Sequence, residues 1–267
     1  MKLASYQMDI IPGNPTENRN KVKEWAERVC KEQQPDILVL PEMWTTAYTL
    51  TTLAEVIKTD KDETEQFLKK LASELNVNMI AGSVAVKDNG GIYNRSYILN
   101  RDGEIIHTYD KIHLVPMLDE HLYLKGGGSS VETFELDGHK MGVIICYDLR
   151  FPELVRSLAL QEAEVVFVVA EWPMARAGHW EILQQARAIE NQLFVVSCNR
   201  VGTYNEVEFA GGSMVINPWG DVVHRASSTH EETSKVSLHL DEVQRIRKDV
   251  PVFSSRVPEL YMDKEGK

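Results

Sequence analysis

Cysteine is scarce: Cys30, Cys146 and Cys198 are the only three in 267 residues. An odd, widely spaced set suits a reducing compartment and excludes a disulfide framework. With no CxxC pair and no helical HExxH, no zinc site is expected, and no organic cofactor is implied either. Positive charge is also short, since 29 Lys and Arg against 40 Asp and Glu leave a net charge of −11. That balance argues against nucleic acid and anionic membrane surfaces as partners. No run approaches the ~18 consecutive apolar residues of a membrane span. The stretch Met1-Lys2-Leu3-Ala4-Ser5-Tyr6-Gln7-Met8-Asp9 has no long apolar run and an early acid, so no secretory signal is read there. A cytoplasmic location is the resulting expectation. Internal repeats, low-complexity tracts and linkers are missing too, so residues 1–267 are expected to form a single domain, long enough to bury about three quarters of its unfolded surface.

What the chain does have is a buried-type run that stops at a thiol, Gly142-Val143-Ile144-Ile145-Cys146-Tyr147-Asp148-Leu149-Arg150-Phe151-Pro152-Glu153. Pro152 suits the first turn of a helix, where a missing N–H costs nothing. A strand that ends at a nucleophile and turns into a helix lifts the side chain out of the sheet. It also aims backbone N–H groups at whatever the nucleophile attacks. The bland alternative is a buried core cysteine, the usual fate of a free thiol. The polar turn carrying Asp148 and Arg150 argues against it here.

Taken in order, Leu3 to Met8 reads as a strand ended by Pro12-Gly13-Asn14-Pro15. Val22, Trp25, Ala26, Val29 and Cys30 follow at helical spacing, which makes Cys30 a packing residue. Asp36 to Leu40 is a continuous apolar run, as in a strand buried on both faces, so the chain opens β-α-β. Glu42 directly follows that strand. Alone it reads as a solvated strand end, but in open α/β sheets sites collect at the C-terminal strand ends, where Cys146 also sits. Glu63 to Leu75 is expected to be helical and Val77 to Val86 a strand. Turns at Asn89-Gly90-Gly91 and Arg101-Asp102-Gly103 predict antiparallel hairpins, hence mixed sheets. In Tyr109 to Leu114, strand alternation puts Tyr109, Lys111 and His113 on one face. Gly126-Gly127-Gly128 lacks the GK[ST] of a phosphate loop. A helix over Pro152 to Gln161 precedes Val165 to Ala170, the most apolar strand. The polar-aromatic loop Glu171-Trp172-Pro173-Met174-Ala175-Arg176 follows, then a helix over Trp180 to Glu190. Phe194 to Asn199 is a strand that makes Cys198 a core residue. A Phe209-to-Arg225 hairpin, a strand over Lys235 to Leu240 and a helix over Asp241 to Lys248 close the chain.

Three motifs then stand in order: Leu40-Pro41-Glu42, Tyr109-Asp110-Lys111-Ile112-His113-Leu114, and Ile145-Cys146-Tyr147-Asp148-Leu149-Arg150-Phe151-Pro152-Glu153. Together they resemble the carbon–nitrogen hydrolase (nitrilase) superfamily with its Glu-Lys-Cys triad, over nearly the whole chain. The resemblance implies an α/β fold, a four-layer α-β-β-α sandwich with mixed sheets, assembled as a homodimer through a helical face. The residue pattern alone does not choose this over a doubly wound sheet. Within the superfamily the chain is most similar to the ω-amidase branch, which removes ammonia from the side-chain amide of 2-oxo acids. The stretches His179-Trp180-Glu181-Ile182-Leu183 and Asp119-Glu120-His121-Leu122-Tyr123 support that, whereas the loop at Glu171 to Gly178 resembles bacterial relatives more than animal ones.

A thiol with a pKa near ~8.5 is a weak nucleophile until deprotonated. Cys146 is the expected nucleophile and Glu42 the general base, a task that suits a carboxylate whose pKa partial burial raises. Lys111 and the backbone N–H of Tyr147 would stabilise the oxyanion. Glu120 resembles the family's second glutamate, which orients the lysine or the amide. Arg176 is expected to bind the substrate's carboxylate, with Trp172 and Tyr48 as walls. Arg150, so close to the nucleophile, is expected to brace the turn through Asp148 or Glu153. The substrate is thus a small-molecule amide. The alternatives are a nitrilase, an N-carbamoyl amide hydrolase, or an idle binding or assembly protein on the same fold.

Overall fold

The computed structural model describes residues 1–58, 60–88 and 90–261, the side chains at 60–62 excepted. Asn89 of the expected turn and the end of the tail, 262–267, lie outside the described residues.

A first sheet begins with β1 (Lys2–Gln7), β2 (Ile37–Val39) and β3 (Asn78–Ile80), all parallel, Leu3 facing Ile37 and Ile37 facing Asn78 across the ladder. Then come β4 (Val84–Asp88), β5 (Gly91–Leu99) and β6 (Ile105–Asp110), in antiparallel pairing. The crossover after β1 is α1 (Pro15–Gln33); its N-cap Asn14 accepts the Glu17 N–H, and Pro15 follows at the first helical position. A short α2 (Leu53–Val56) precedes α3 (Asp60–Leu75). The single strand expected over Val77 to Val86 is broken into β3 and β4, both along one edge of β5. The break is at Gly82, with φ +60°, where a Cβ would come within 1.9 Å of the Pro41 carbonyl oxygen. Only glycine lets the chain pass so close behind Glu42.

A second sheet contains β7 (Phe134–Leu136), β8 (His139–Ile145), β9 (Val165–Ala170) and β10 (Phe194–Asn199). β8, β9 and β10 run parallel with β9 central, in agreement with its unbroken apolar sequence. A small hairpin of β11 (Thr203–Tyr204) and β12 (Val207–Glu208) projects from it, and β13 (Met214–Ile216) with β14 (Val222–Arg225) completes one edge. β15 (Glu232–Ser237) returns to the first sheet and pairs antiparallel with β1. It begins earlier than the Lys235-to-Leu240 strand read from the sequence. The outer helices are α4 (Pro152–Leu160) and α5 (Ala177–Asn191), with α6 (Asp241–Asp249) near the C-terminus.

Strand alternation sorts the side chains into layers. Leu3, Ile37, Val39, Ile80 and Ile98 turn inward and share one core with Val143, Phe167 and Val195 of the second sheet. Their neighbours Ala4, Leu38, Leu40 and Met79 face outward onto Val22, Trp25 and Ala26 of α1 and Leu68 and Leu71 of α3. On the far side, Val155 and Leu158 of α4 and Trp180 and Ala188 of α5 cover the second sheet. The result is the four-layer α-β-β-α arrangement with mixed sheets. Burial of each such aliphatic side chain contributes about 1.5–3 kcal/mol. Cys198 is wholly buried between the sheets, its thiol donating to the Tyr6 carbonyl at 3.3 Å.

Candidate active site

Strand ends of both sheets converge at one end of the sandwich. β8 ends at Ile145, and Cys146 opens a tight helical turn with φ +48°, a left-handed conformation that costs a cysteine free energy. Asp148, fully buried, holds this turn: it accepts the Ile145 N–H, the Tyr109 hydroxyl at 2.7 Å and the His113 N–H at 3.0 Å. The His113 ring stacks on Phe151 with centroids 3.5 Å apart. Asp148 is therefore occupied without Arg150, which neither braces the turn through it nor pairs with Glu153. Arg150 instead lies over the Trp172 ring at 4.7 Å and the Tyr147 ring at 5.7 Å.

Glu42, three residues past the end of β2, is fully buried and accepts four hydrogen bonds. Tyr48 Oη (2.6 Å), Asn94 Nδ2 (2.8 Å) and Lys111 Nζ (3.0 Å) donate to Oε1, and the Glu171 N–H (2.7 Å) donates to Oε2. Every one of these neighbours is a donor, which keeps Glu42 an acceptor, as a base must be. Lys111 follows the end of β6 rather than lying within it. Tyr109 and His113 meet Asp148 beyond the nucleophile, while Lys111 reaches the two glutamates. Its ammonium bridges Glu42 and Glu120, each at 3.0 Å, and donates to Tyr48 Oη at 2.7 Å. Burial acts to lower the Lys111 pKa, but the two carboxylates outweigh it and hold the group above the ordinary lysine value, as a cation. Glu120 is buried, not a solvated loop acid, and its second oxygen accepts the Val115 N–H at 2.7 Å.

Burial, followed by the nearby Glu42, pushes the Cys146 thiol well above its ordinary range, against the pull of Lys111. A thiol held this high depends on a base for its reactivity, and Glu42 is the nearby carboxylate. The cavity above it, about 350 Å³, is lined by Tyr48, Cys146, Tyr147, Arg150, Trp172 and Arg176, among others. Tyr48, Cys146, Tyr147, Trp172 and Arg176 thus line one cavity, and Glu42 and Lys111 are bonded to Tyr48 at its wall, with Glu120 bonded to Lys111. Tyr48 is more than a wall, because it joins Glu42 and Lys111; burial raises its pKa and keeps it a phenol. Sequence reasoning missed Asn94, Glu171 and Arg200. Asn94 alternates inward along β5, and Glu171 stands directly after a wholly buried strand as Glu42 does, the one signal that marked it. Among the described residues no three His, Cys, Asp or Glu side chains converge as a metal site.

Comparison with known proteins agrees with this geometry. The model of the carbon-nitrogen hydrolase family matches residues 2–248. The 2-oxoglutaramate amidase of Bacillus subtilis is 43% identical over 259 residues, 97% of this chain and 98% of that protein. Omega-amidase YafV of Escherichia coli is 37% identical over 219 residues, 82% of this chain and 83% of that protein. Among solved structures, Nit3 of Saccharomyces cerevisiae, a member of branch 10 of the nitrilase superfamily, superposes with a TM-score of 0.88 at 28% identity, covering 96% of both chains. A buried Glu-Lys-Cys cluster at the strand ends of a four-layer sandwich, with a family match over nearly the whole length, places this chain in the carbon-nitrogen hydrolase family. It is accordingly a hydrolytic enzyme acting on amides.

Proposed function

We propose that this enzyme is an ω-amidase: it hydrolyses the side-chain amide of a small 2-oxo acid to the acid and ammonia through a thioester on Cys146. The observation that carries the reading is the bridge of Lys111 between Glu42 and Glu120 beneath a cavity that also holds Cys146. Relatives named 2-oxoglutaramate amidase and omega-amidase support the substrate class. Glu42 takes the thiol proton as sulfur attacks the amide carbon. The developing oxyanion meets the Lys111 ammonium and the Tyr147 N–H, one of the first N–H groups of its turn, which have no intrahelical acceptor. Glu42 passes its proton to departing ammonia, then activates the water that cleaves the thioester. Glu120 holds Lys111 in place.

A chain at −11 needs a local cation to draw in an anionic substrate. Arg150 and Arg176 both line the cavity, and neither pairs with a carboxylate among the described residues. Arg176 is the proposed carboxylate partner, since a guanidinium fork meets a carboxylate bidentately. We also read 1–267 as one domain, in a reducing cytoplasm where its three free thiols persist. A homodimer is supported by an apolar surface of Ile182 and Ile189 on α5 beside Trp219 and Val223, each more than half exposed. Charging that surface with Ile182→Glu and Ile189→Glu should shift the mass measured by light scattering to that of a monomer. An unchanged mass places the contact elsewhere.

The reading is tested by ammonia release from a panel containing a 2-oxo acid ω-amide, a neutral amide of equal length and a nitrile. The 2-oxo acid amide should have the highest kcat/KM, and Arg176→Ala should raise KM selectively for it. Preference for the neutral amide or the nitrile would overturn the assignment.

A further inference from the structure

Behind the thiol lies a second buried ion pair that the mechanism above leaves unused. Arg200 and Glu171 have side chains with no solvent exposure, and Arg200 Nη1 donates to Glu171 Oε2 at 3.0 Å. Glu171 lines the same cavity as Cys146 and is joined to Glu42 through its backbone N–H. The buried carboxyls near the thiol are then Glu42, Glu120, Asp148 and Glu171, against the two cations Lys111 and Arg200. Asp9, half-exposed at the outer end of Arg200, adds further negative charge. Full ionisation of such a group, away from water, leaves an uncompensated buried anion, which is costly. One carboxyl therefore holds a proton.

The hydrogen bonds say which. Both oxygens of Glu42, of Glu120 and of Asp148 already receive donors, and so does Oε2 of Glu171. Oε1 of Glu171 is buried with no partner at all. It is the one oxygen of these four carboxyls with room for a proton, and that proton has no acceptor within the protein. We infer that Glu171 is a specificity residue held as a neutral carboxylic acid, whose Oε1–H donates to an oxygen of the acid end of the substrate, its 2-oxo or carboxylate group. Burial pushes the Glu171 carboxyl up to about 8, with Glu42 adding to the shift and Arg200 and Lys111 opposing it, which agrees with the hydrogen-bond count. A neutral acid at this place adds a donor without adding another negative charge to repel an anionic substrate.

The inference rests on the acid-amide reading, and the test separates the two. kcat/KM is measured between pH 6 and 9.5 on a 2-oxo acid ω-amide and on a neutral amide, for wild type and Glu171→Gln. The Gln amide N–H stands in for the acid's O–H, its oxygen still accepts from Arg200, and it cannot ionise. For wild type on the acid amide, kcat/KM should fall about tenfold between pH 7 and pH 9, as a group titrating near 8 loses its proton. Glu171→Gln should lose that fall. Glu171→Met, which has no donor, should raise KM for the acid amide by about tenfold relative to Glu171→Gln, and less for the neutral amide. An alkaline limb that persists unchanged in Glu171→Gln overturns the inference while the ω-amidase reading stands, and this result needs only the Gln variant to fold. Failure of wild type to release ammonia from the acid amide at any pH overturns both.

Discussion

The Tyr109 hydroxyl donates a 2.7 Å hydrogen bond to Oδ2 of Asp148, two residues beyond Cys146, and both side chains are buried. The bond ties the end of β6 in the first sheet to the turn that follows β8 in the second. It therefore crosses the sandwich at the point where the thiol is presented. Since Cys146 is left-handed at φ +48°, the turn persists only while its surroundings over-determine it. Tyr109→Phe removes one of Asp148's donors and leaves a buried carboxylate less satisfied, at a cost of about 1–3 kcal/mol. The expected result is a midpoint shifted to lower urea together with a lowered kcat. A variant equal to wild type in both would mean that Asp148 holds the turn through His113 and Ile145 alone.

How much of this was legible in advance depended on whether a residue's partner was local. The strand that stops at Cys146, the stripe of α1 and the apolar β9 follow from periodicity and from proline placement, and each is where the pattern put it. Gly82 was not legible, because its necessity comes from the Pro41 carbonyl, distant in sequence. Arg150 was misread for the same reason: Asp148 is its close neighbour in sequence, but Tyr109 and His113 arrive from another sheet and occupy it. The partners of Lys111 were not legible, because Glu42, Tyr48 and Glu120 come from three other segments. The pairing of Glu171 with Arg200 joins the ends of β9 and β10, which nothing in a single sequence connects.

Cys146 should carry the covalent intermediate. Intact-protein mass spectrometry during turnover of the acid amide is expected to show an acyl adduct that Cys146→Ala lacks. Cys30→Ala and Cys198→Ala should keep the adduct, since Cys30 is on the packed face of α1 and Cys198 lies between the sheets. An adduct retained in Cys146→Ala would move the chemistry to another residue.

Glu42→Gln and Lys111→Ala should separate catalysis from stability. Loss of the base lowers the rate by roughly 10²–10⁴-fold, and loss of an oxyanion donor costs about 3–4 kcal/mol of transition-state stabilisation. Lys111→Ala also leaves Glu42 and Glu120 buried without their cation, at a further cost to folding of about 3–5 kcal/mol. Glu42→Gln keeps Glu120 paired and is expected to unfold closer to wild type. Urea denaturation beside kcat/KM checks both. Near-wild-type stability of Lys111→Ala would show that one of the two carboxyls is protonated in the resting enzyme.

The last prediction uses Glu171 as a reporter of folding. Its carboxyl titrates near 4.5 when the chain is unfolded and near 8 in the folded protein, where burial disfavours the charge. Between those values the folded state binds more protons than the unfolded state, so unfolding releases a proton and stability falls as pH rises. The stabilisation is thus fully present below about pH 4.5 and is lost progressively toward pH 8. Asp36, Glu162 and Glu181 are shifted in the opposite direction and act below this window. Burial lowers the His107 pKa and makes stability rise with pH below its ordinary value, equally in wild type and in Glu171→Gln. Glu171→Gln has no proton to release there. Urea unfolding at pH 5, 6.5 and 8 should show wild type losing more stability across the series than Glu171→Gln does. Parallel pH dependences for the two proteins would mean that Glu171 is ionised alongside Arg200 in the native state, and the buried proton would have to be sought on Glu42 or Glu120.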